Sequence, residues 1–251
     1  MNQWPSLLVV SLLLIASPAR SSVVWAQASS GHQNATTDTH SANDHQQGHA
    51  SGRWEGSHEG KAFSEFNHHF AGLCDMAFGL AELGYALQYP LPFWTRLVLP
   101  GALGLVGGFV LIWSDHEAWP IGSLSFRQTF FGQDREIVEH KAYGVMALLV
   151  ALCETFRRLG RVRHRMWAAP LVIVTLAGSL WLFVHSHGDH PAIVKIQFQH
   201  SLLAIVGIGA ALSKGLASWS SGISPHITKR WEVAWAGSII LFGLLLFLYS
   251  Q

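Results

Sequence analysis

The strongest constraint in this sequence is a series of six apolar segments, each long enough to cross a membrane as a helix. A hydrocarbon core is crossed by ~20 helical residues. Half of the 251 residues are hydrophobic and only 12% are charged, which leaves few charges for the surface of a soluble domain. We therefore predict an all-α polytopic membrane protein with a six-helix transmembrane bundle. The predicted spans are Phe70–Tyr89, Phe93–Trp113, His140–Phe156, Met166–His185, Gln199–Trp219 and Trp231–Tyr249.

The first residues have the pattern of an export signal, and we predict a signal peptide over residues 1–28. Leu7–Ala16 is an apolar core of signal-peptide length, too short to span a membrane. Ala26-Gln27-Ala28 provides the small residues that a signal peptidase recognises. Nothing basic precedes Leu7, so an uncleaved anchor that extends through Val24 is the alternative.

Residues 29–67 are rich in Gly, Ser, Asn, Gln and His and have almost no aliphatic residues. Such a segment buries too little apolar surface to offset the entropy of ordering. We predict a disordered, His-rich extracytoplasmic tail ahead of a transmembrane domain at 68–251. The tail histidines either raise the local metal concentration beside a membrane site or are ordinary residues of a polar linker. They are His32, His40, His45, His49 and His58.

The basic residues between the predicted spans set the topology. The loop after the third span and the loop after the fifth both carry clusters of basic residues, and the positive-inside rule places such loops in the cytoplasm. Six spans then put both chain ends outside, in agreement with the export signal. The basic residues are Arg157, Arg158, Arg161, Arg163 and Arg165 in the first loop, and Lys214, Lys229 and Arg230 in the second.

Histidines and acids gather at the opposite, outer ends of the predicted spans. Imidazole suits copper, zinc, nickel and iron, and carboxylates assist it. We therefore predict one metal pocket at the outer rim, formed by residues from several helices. The four methionines provide no thioether ladder of the kind that suits a Cu(I) conduit, which favours a His-dominated site. The predicted metal ligands are His69, Asp75, Asp115, His116, His140, His185, His187 and His200.

The reason for expecting metal binding differs from one predicted ligand to the next. His140 and His200 each open an apolar run, where a titratable group faces either the bundle interior or the headgroups. His185 and His187 diverge on a continuous helix, so joint ligation requires the helix to end near Gly188. Asp75 lies about 9 Å along the helix from His69 and marks either a lining position or a buried hydrogen bond. Each histidine also has a structural alternative, an interfacial or hydrogen-bonded side chain.

Two acids lie in the inner halves of the predicted spans. Glu154 precedes Arg157 and Arg158 by three and four residues, a spacing that favours an ion pair on a helix surface. If an ion crosses the membrane, Glu82 and Glu154 are the candidates for an inner relay.

A series of motifs from residue 114 to about residue 216 resembles the conserved membrane region of the bacterial copper resistance protein D family. The matching elements keep their order and spacing. They are Ser114-Asp115, Glu117-Ala118-Trp119-Pro120, Gly122, Ser125 and Phe126, then His140 with Glu154, then His185-Ser186-His187, then His200, Leu203, Ala204 and Gly207 in an H-x-x-L-A-x-x-G pattern.

The resemblance implies a protein of copper homeostasis in the bacterial inner membrane, with both termini periplasmic after signal cleavage. Such a protein would move periplasmic copper inward or pass it to partners, and a periplasmic copper-binding protein is the expected partner besides the lipid bilayer. A nucleic acid is not expected as a partner, and enzymatic activity is not expected. The positions that the resemblance carries over are His140, His185, His187 and His200.

Two further functions remain open at the level of sequence. A b-type cytochrome would hold haem b between imidazoles of neighbouring helices, with His140 and His200 or His69 and His185 at similar depths, and would act in electron transfer or metal reduction. A metal-dependent intramembrane hydrolase would use a bound ion to activate water and would depend on Asp115 or His187. No phosphate-binding loop or nucleophile–base pair is present in the sequence, so ATPase or ordinary hydrolase chemistry is not expected.

Overall fold

The computed structural model describes residues 56–185, 192–220 and 224–251, which form helices joined by loops. The predicted signal peptide, the tail up to residue 55 and His187 lie outside these residues. The described residues contain no β-strand, and the all-α prediction is confirmed. The α-helices of the described part are α1 His58–Ala86, α2 Val98–Trp113, α3 Phe126–Phe131, α4 Arg135–Arg158, α5 Ala169–Trp181, α6 Ile193–Trp219 and α7 Pro225–Phe247. Short 3-10 helices at Phe93–Leu97 and Arg165–Ala168 lead into α2 and α5.

Within the described residues, three helices are long and apolar enough to cross a membrane. They are Phe93–Trp113, Ile193–Trp219 and Pro225–Phe247, and Arg165–Trp181 is a shorter apolar helix. Large apolar side chains such as Leu105, Ile205 and Leu241 are exposed on these helices. Extended exposed apolar surface of this kind is unusual for a soluble monomer. The protein is therefore membrane-embedded.

The first helix begins earlier than the apolar pattern predicts. α1 starts at His58, twelve residues before the predicted span, so residues 58–67 are helical rather than part of the tail. The Ser57 side chain accepts a hydrogen bond from the Gly60 amide at 3.1 Å, and Glu59 lies in the first turn, where a negative charge stabilises a helix. The apolar pattern detects only the part of a helix that suits lipid, whereas the helix continues to its cap.

In the described part of the chain, α1, α2, α4, α5, α6 and α7 pack around one apolar core. α1 packs against α7, α2 against α4, and α6 against both α5 and α7. Each of these helices contributes at least one core residue. The core residues are Phe78, Leu99, Val150, Leu171, Ala210, Trp235 and Ile239. This core separates two polar groups of side chains, which lie at opposite ends of α4.

Two pairs of glycines allow the backbones of neighbouring helices to approach closely. A Cβ at Gly72 on α1 would lie 2.6 Å from the Gly243 carbonyl oxygen on α7, and a Cβ at Gly107 on α2 would lie 3.0 Å from the Gly144 carbonyl oxygen on α4. Backbones approach this closely only where side chains are absent. Gly107 is therefore the glycine of α2 that lies at the crossing with α4. A Cβ at Gly101 or Gly108 would have nothing within 4 Å, and one at Gly104 would meet only the Ala151 side chain at 3.9 Å.

We name the two polar ends by their residues. The histidine end contains His68, His140, His185 and His200, which line one cavity. The arginine end contains Arg96, Arg157, Arg158 and Lys214, which line another.

Candidate functional site

The cavity at the histidine end has a volume of about 250 Å³ and is lined by residues of α1, α4 and α6 and of the segments that follow α2 and α5. Five of the predicted ligands line it. They are Asp115, His116, His140, His185 and His200, and the lining also includes His68, Glu136 and Tyr143.

Glu136, His140 and His185 form the tightest group of metal-ligating side chains in the described part of the chain. One ligand atom from each lies within 4.8 Å of the other two. Metal–nitrogen and metal–oxygen bonds are about 2.0–2.2 Å long, so two ligands of one ion lie at most roughly 4 Å apart. The separation of these atoms is therefore within about 1 Å of the spacing that ligands of a single ion have.

A carboxylate orients each of the two imidazoles. His140 Nδ1 donates to Asp115 Oδ1 at 2.7 Å, and His185 Nδ1 donates to Glu139 Oε2 at 2.8 Å. With Nδ1 bonded to a carboxylate, Nε2 is the nitrogen of each ring that can bind a metal. Carboxylates in this position fix the tautomer of a metal-binding histidine and raise its basicity.

Neighbouring side chains stabilise the ionised form of Asp115. Burial alone would raise the pKa of this carboxyl, but the hydrogen bond and charge of His140 and the charge of Lys141 outweigh it and hold the pKa below its ordinary value. The Lys141 ammonium, which is fully buried, lies 2.9 Å from Asp115 Oδ2. Asp115 is therefore an anion that binds an imidazole with one oxygen and an ammonium with the other.

Four imidazoles lie in a continuous row, from α1, α4, α6 and the segment that follows α5. Ring centroids are 5.8 Å apart for His140 and His185, 5.5 Å for His185 and His200, and 6.4 Å for His200 and His68. His68 also stacks on Tyr249 with ring centroids 3.8 Å apart. His185 and His200 are buried, with 6% and 3% exposure. His200 is thus placed beside the three-residue group as an additional imidazole.

Other predicted ligands lie away from this group. The His69 Nε2 donates to the Tyr249 carbonyl oxygen at 2.9 Å, and its ring packs beside Phe247. His116 lines the cavity, and its Nε2 lies 3.7 Å from Glu117 Oε1. Asp75 lines a separate cavity deeper in the bundle.

The sequence analysis did not select three residues that the structure places in or beside the cavity. Glu136 precedes His140 by four residues, so both side chains lie on one face of α4, and this spacing is the signal that could have identified it. Lys141 is a charged residue inside a predicted span, which is itself an indication of a polar interior. His68 directly precedes the predicted ligand His69 in the sequence.

The arginine end is a network of ion pairs. Arg158 donates to both oxygens of Glu82, at 2.8 and 3.0 Å, and to Glu154 at 3.1 Å. Arg157 donates to Glu154 at 2.7 Å, so the predicted ion pair of Glu154 is confirmed. Lys214 donates to Glu232 at 2.7 Å. Both acids predicted as an inner relay are therefore bound by arginine.

No family model matches the sequence, and comparisons with curated proteins and with solved structures found no significant match.

Proposed function

We propose that this protein binds a transition-metal ion, copper or a similar borderline metal, at the histidine end of a six-helix transmembrane bundle, and that it imports the ion or transfers it to a partner. The observation that carries the proposal is the convergence of Glu136, His140 and His185 to within 4.8 Å. Each imidazole also donates its Nδ1–H to a carboxylate, as metal-binding histidines usually do.

The membrane arrangement supports this role. α1, α4 and α5 pack with the three long apolar helices around one core, so we infer that all six cross the membrane. The basic loop between α4 and α5 then lies in the cytoplasm, and the histidine end faces the periplasm of a bacterial inner membrane. A site there meets metal ions before they cross the membrane.

The donor set indicates the class of metal. Two imidazole nitrogens and one carboxylate oxygen suit copper, zinc, nickel or iron, whereas magnesium and calcium prefer oxygen ligands. His200 would add a third imidazole. Copper is our choice among these metals because of the resemblance to the copper resistance protein D family, which is itself part of the proposal.

The b-type cytochrome is the second candidate, since the row of imidazoles offers two rings from separate helices. The cavity volume of about 250 Å³ favours an ion, because pockets for molecules much larger than an ion usually measure about 300–1,000 Å³. A visible absorption spectrum distinguishes the two: a haem band that changes on reduction would support the cytochrome and contradict the ion site.

Metal analysis of the purified full-length protein tests the proposal. After loading with copper or zinc and removal of the excess, we expect the wild-type protein to retain bound ion, and the His140→Ala, His185→Ala double variant to lose it. His58→Ala is the matched control, because His58 is exposed at the start of α1 and does not line the cavity. Equal metal retention by all three proteins would contradict the proposed ligands.

A further inference from the structure

Asp75 lies in the middle of α1, in a cavity of about 210 Å³ between the two polar ends of the bundle. The other lining residues are apolar or small, apart from the hydroxyl groups of Thr175 and Ser179 and the indole of Trp235. Within the described residues, no hydrogen bond or ion pair reaches the Asp75 carboxyl. An unpaired charge at such a depth is costly, and protonation of the carboxyl removes that cost.

The position of Asp75 on α1 relates it to both polar ends. His68, Asp75 and Glu82 follow one another at intervals of seven residues, which is close to two helical turns and about 10 Å of rise. They therefore lie on one face of α1. His68 lines the cavity at the histidine end, Asp75 the middle cavity and Glu82 the cavity at the arginine end.

Apolar and aromatic side chains lie between these three positions. Leu182 borders both the cavity at the histidine end and the middle cavity. Trp235 borders the middle cavity and donates from Nε1 to Glu82 Oε2 at 3.4 Å, while Phe78 lies between Asp75 and Glu82 on α1 and is buried. Leu182 and Trp235 are therefore the side chains whose movement a connection between the middle cavity and the two ends would involve.

We propose that Asp75 is a proton-binding site in the middle of the membrane, and that the protein conducts protons between its two ends through this carboxyl. In each transfer a carboxylate oxygen of Asp75 takes up a proton from the histidine end and later releases it towards the arginine end, or the reverse. The proposal rests on the membrane-spanning arrangement proposed above and not on the metal site.

The surroundings of Asp75 favour a proton over a metal cation. Cys74 is the adjacent titratable residue on α1. The elements packed around the cavity contribute only uncharged side chains, namely Leu103 from α2, Thr175 and Ser179 from α5, Gly207 from α6, and Trp235, Ile239 and Phe242 from α7. Ser179 already donates its hydroxyl to the Thr175 carbonyl oxygen at 2.6 Å. One carboxyl and two hydroxyls fall short of the six or more oxygens that hard cations commonly take.

Proton flux into liposomes tests the proposal. The full-length protein is reconstituted with a pH-sensitive dye inside, and a potassium diffusion potential drives the flux, both without metal and with copper added. We expect flux above that of protein-free liposomes for wild type and for Glu59→Gln, an exposed carboxylate change on the same helix. We expect Asp75→Asn to fall to the protein-free level. Wild-type flux at the protein-free level in both conditions, or undiminished flux in Asp75→Asn, would overturn the proposal, as would flux carried by sodium instead of protons.

Infrared difference spectroscopy between acidic and alkaline pH gives a second readout. The carboxylic-acid band of Asp75 should be present in wild type and Glu59→Gln and missing in Asp75→Asn. If Asp75→Asn does not fold, Asp75→Glu takes its place: a shifted band supports the assignment and an unchanged spectrum overturns it. Metal retention by the Asp75 variants should equal that of wild type, so failure of this inference is distinguishable from failure of the metal site.

Discussion

Asp115 Oδ1 lies 2.7 Å from Nδ1 of His140, although 25 positions separate the two residues in the sequence. The loop that follows α2 is therefore folded back onto the first turns of α4. The same carboxylate binds the buried ammonium of Lys141, so one acid both orients an imidazole and balances a buried charge. These two roles can be separated by mutation.

Asp115→Asn should weaken metal binding by roughly 10–100-fold, because it removes the carboxylate that orients His140. It should also destabilise the protein by about 3–5 kcal/mol, because Lys141 is left as a buried, unbalanced charge. Metal titration and thermal unfolding in detergent measure the two effects. The Asp115→Asn, Lys141→Met double variant should recover stability without recovering affinity. Recovery of both together would show that the affinity loss came only from misfolding.

Glu139→Gln should lower metal affinity by roughly 10–100-fold with little loss of stability, because Glu139 is the carboxylate that orients His185. Its other partners are the Trp181 side chain, to which a glutamine can still hydrogen-bond, and the exposed Arg135, and an exposed ion pair stabilises a fold by at most about 1 kcal/mol. Glu59→Gln provides the matched control in the same titration. Unchanged affinity in Glu139→Gln would argue against His185 as a ligand.

Gly107→Val should destabilise the bundle by about 1–3 kcal/mol through overpacking, because a Cβ there would lie 3.0 Å from the Gly144 carbonyl oxygen. Gly108→Val is the matched control, since nothing lies within 4 Å of a Cβ at that position. Thermal unfolding in detergent compares the two. Equal melting temperatures for the variants would contradict the close crossing of α2 and α4.

Arg158→Gln should destabilise the protein by about 3–5 kcal/mol, because it removes the partner that Glu82 and Glu154 share in a buried network. Arg161 is an exposed arginine in the loop that follows α4, and Arg161→Gln should leave stability unchanged. The comparison again uses thermal unfolding. A similar effect of the two substitutions would mean that the network contributes nothing beyond loop charge.

The sequence predicts the parts of this molecule that depend on periodicity and composition. The apolar segments predict the helices. Histidines and acids gather at the outer ends of these segments, which predicts that Asp115, His140, His185 and His200 share a region. Helix ends are less predictable, because capping by Ser57 and Asp134 extends α1 and α4 beyond their apolar parts.

The pairings within the site depend on how the helices rotate about their axes, which the apolar pattern leaves open. His68 and His69 are neighbours in the sequence, yet one lines the cavity and the other bonds the Tyr249 carbonyl oxygen. Glu139 and Glu136 likewise take different positions, one behind His185 and one among the proposed ligands. A rotation of a fraction of a turn would exchange such roles.

X-ray absorption of the copper- or zinc-loaded protein tests most directly whether imidazoles of separate helices bind one ion. We predict scattering from at least two imidazoles with metal–nitrogen distances of about 2.0 Å, and the loss of one imidazole in His185→Ala but not in His58→Ala. A spectrum without imidazole scattering, or one that His185→Ala leaves unchanged, would contradict the proposed site.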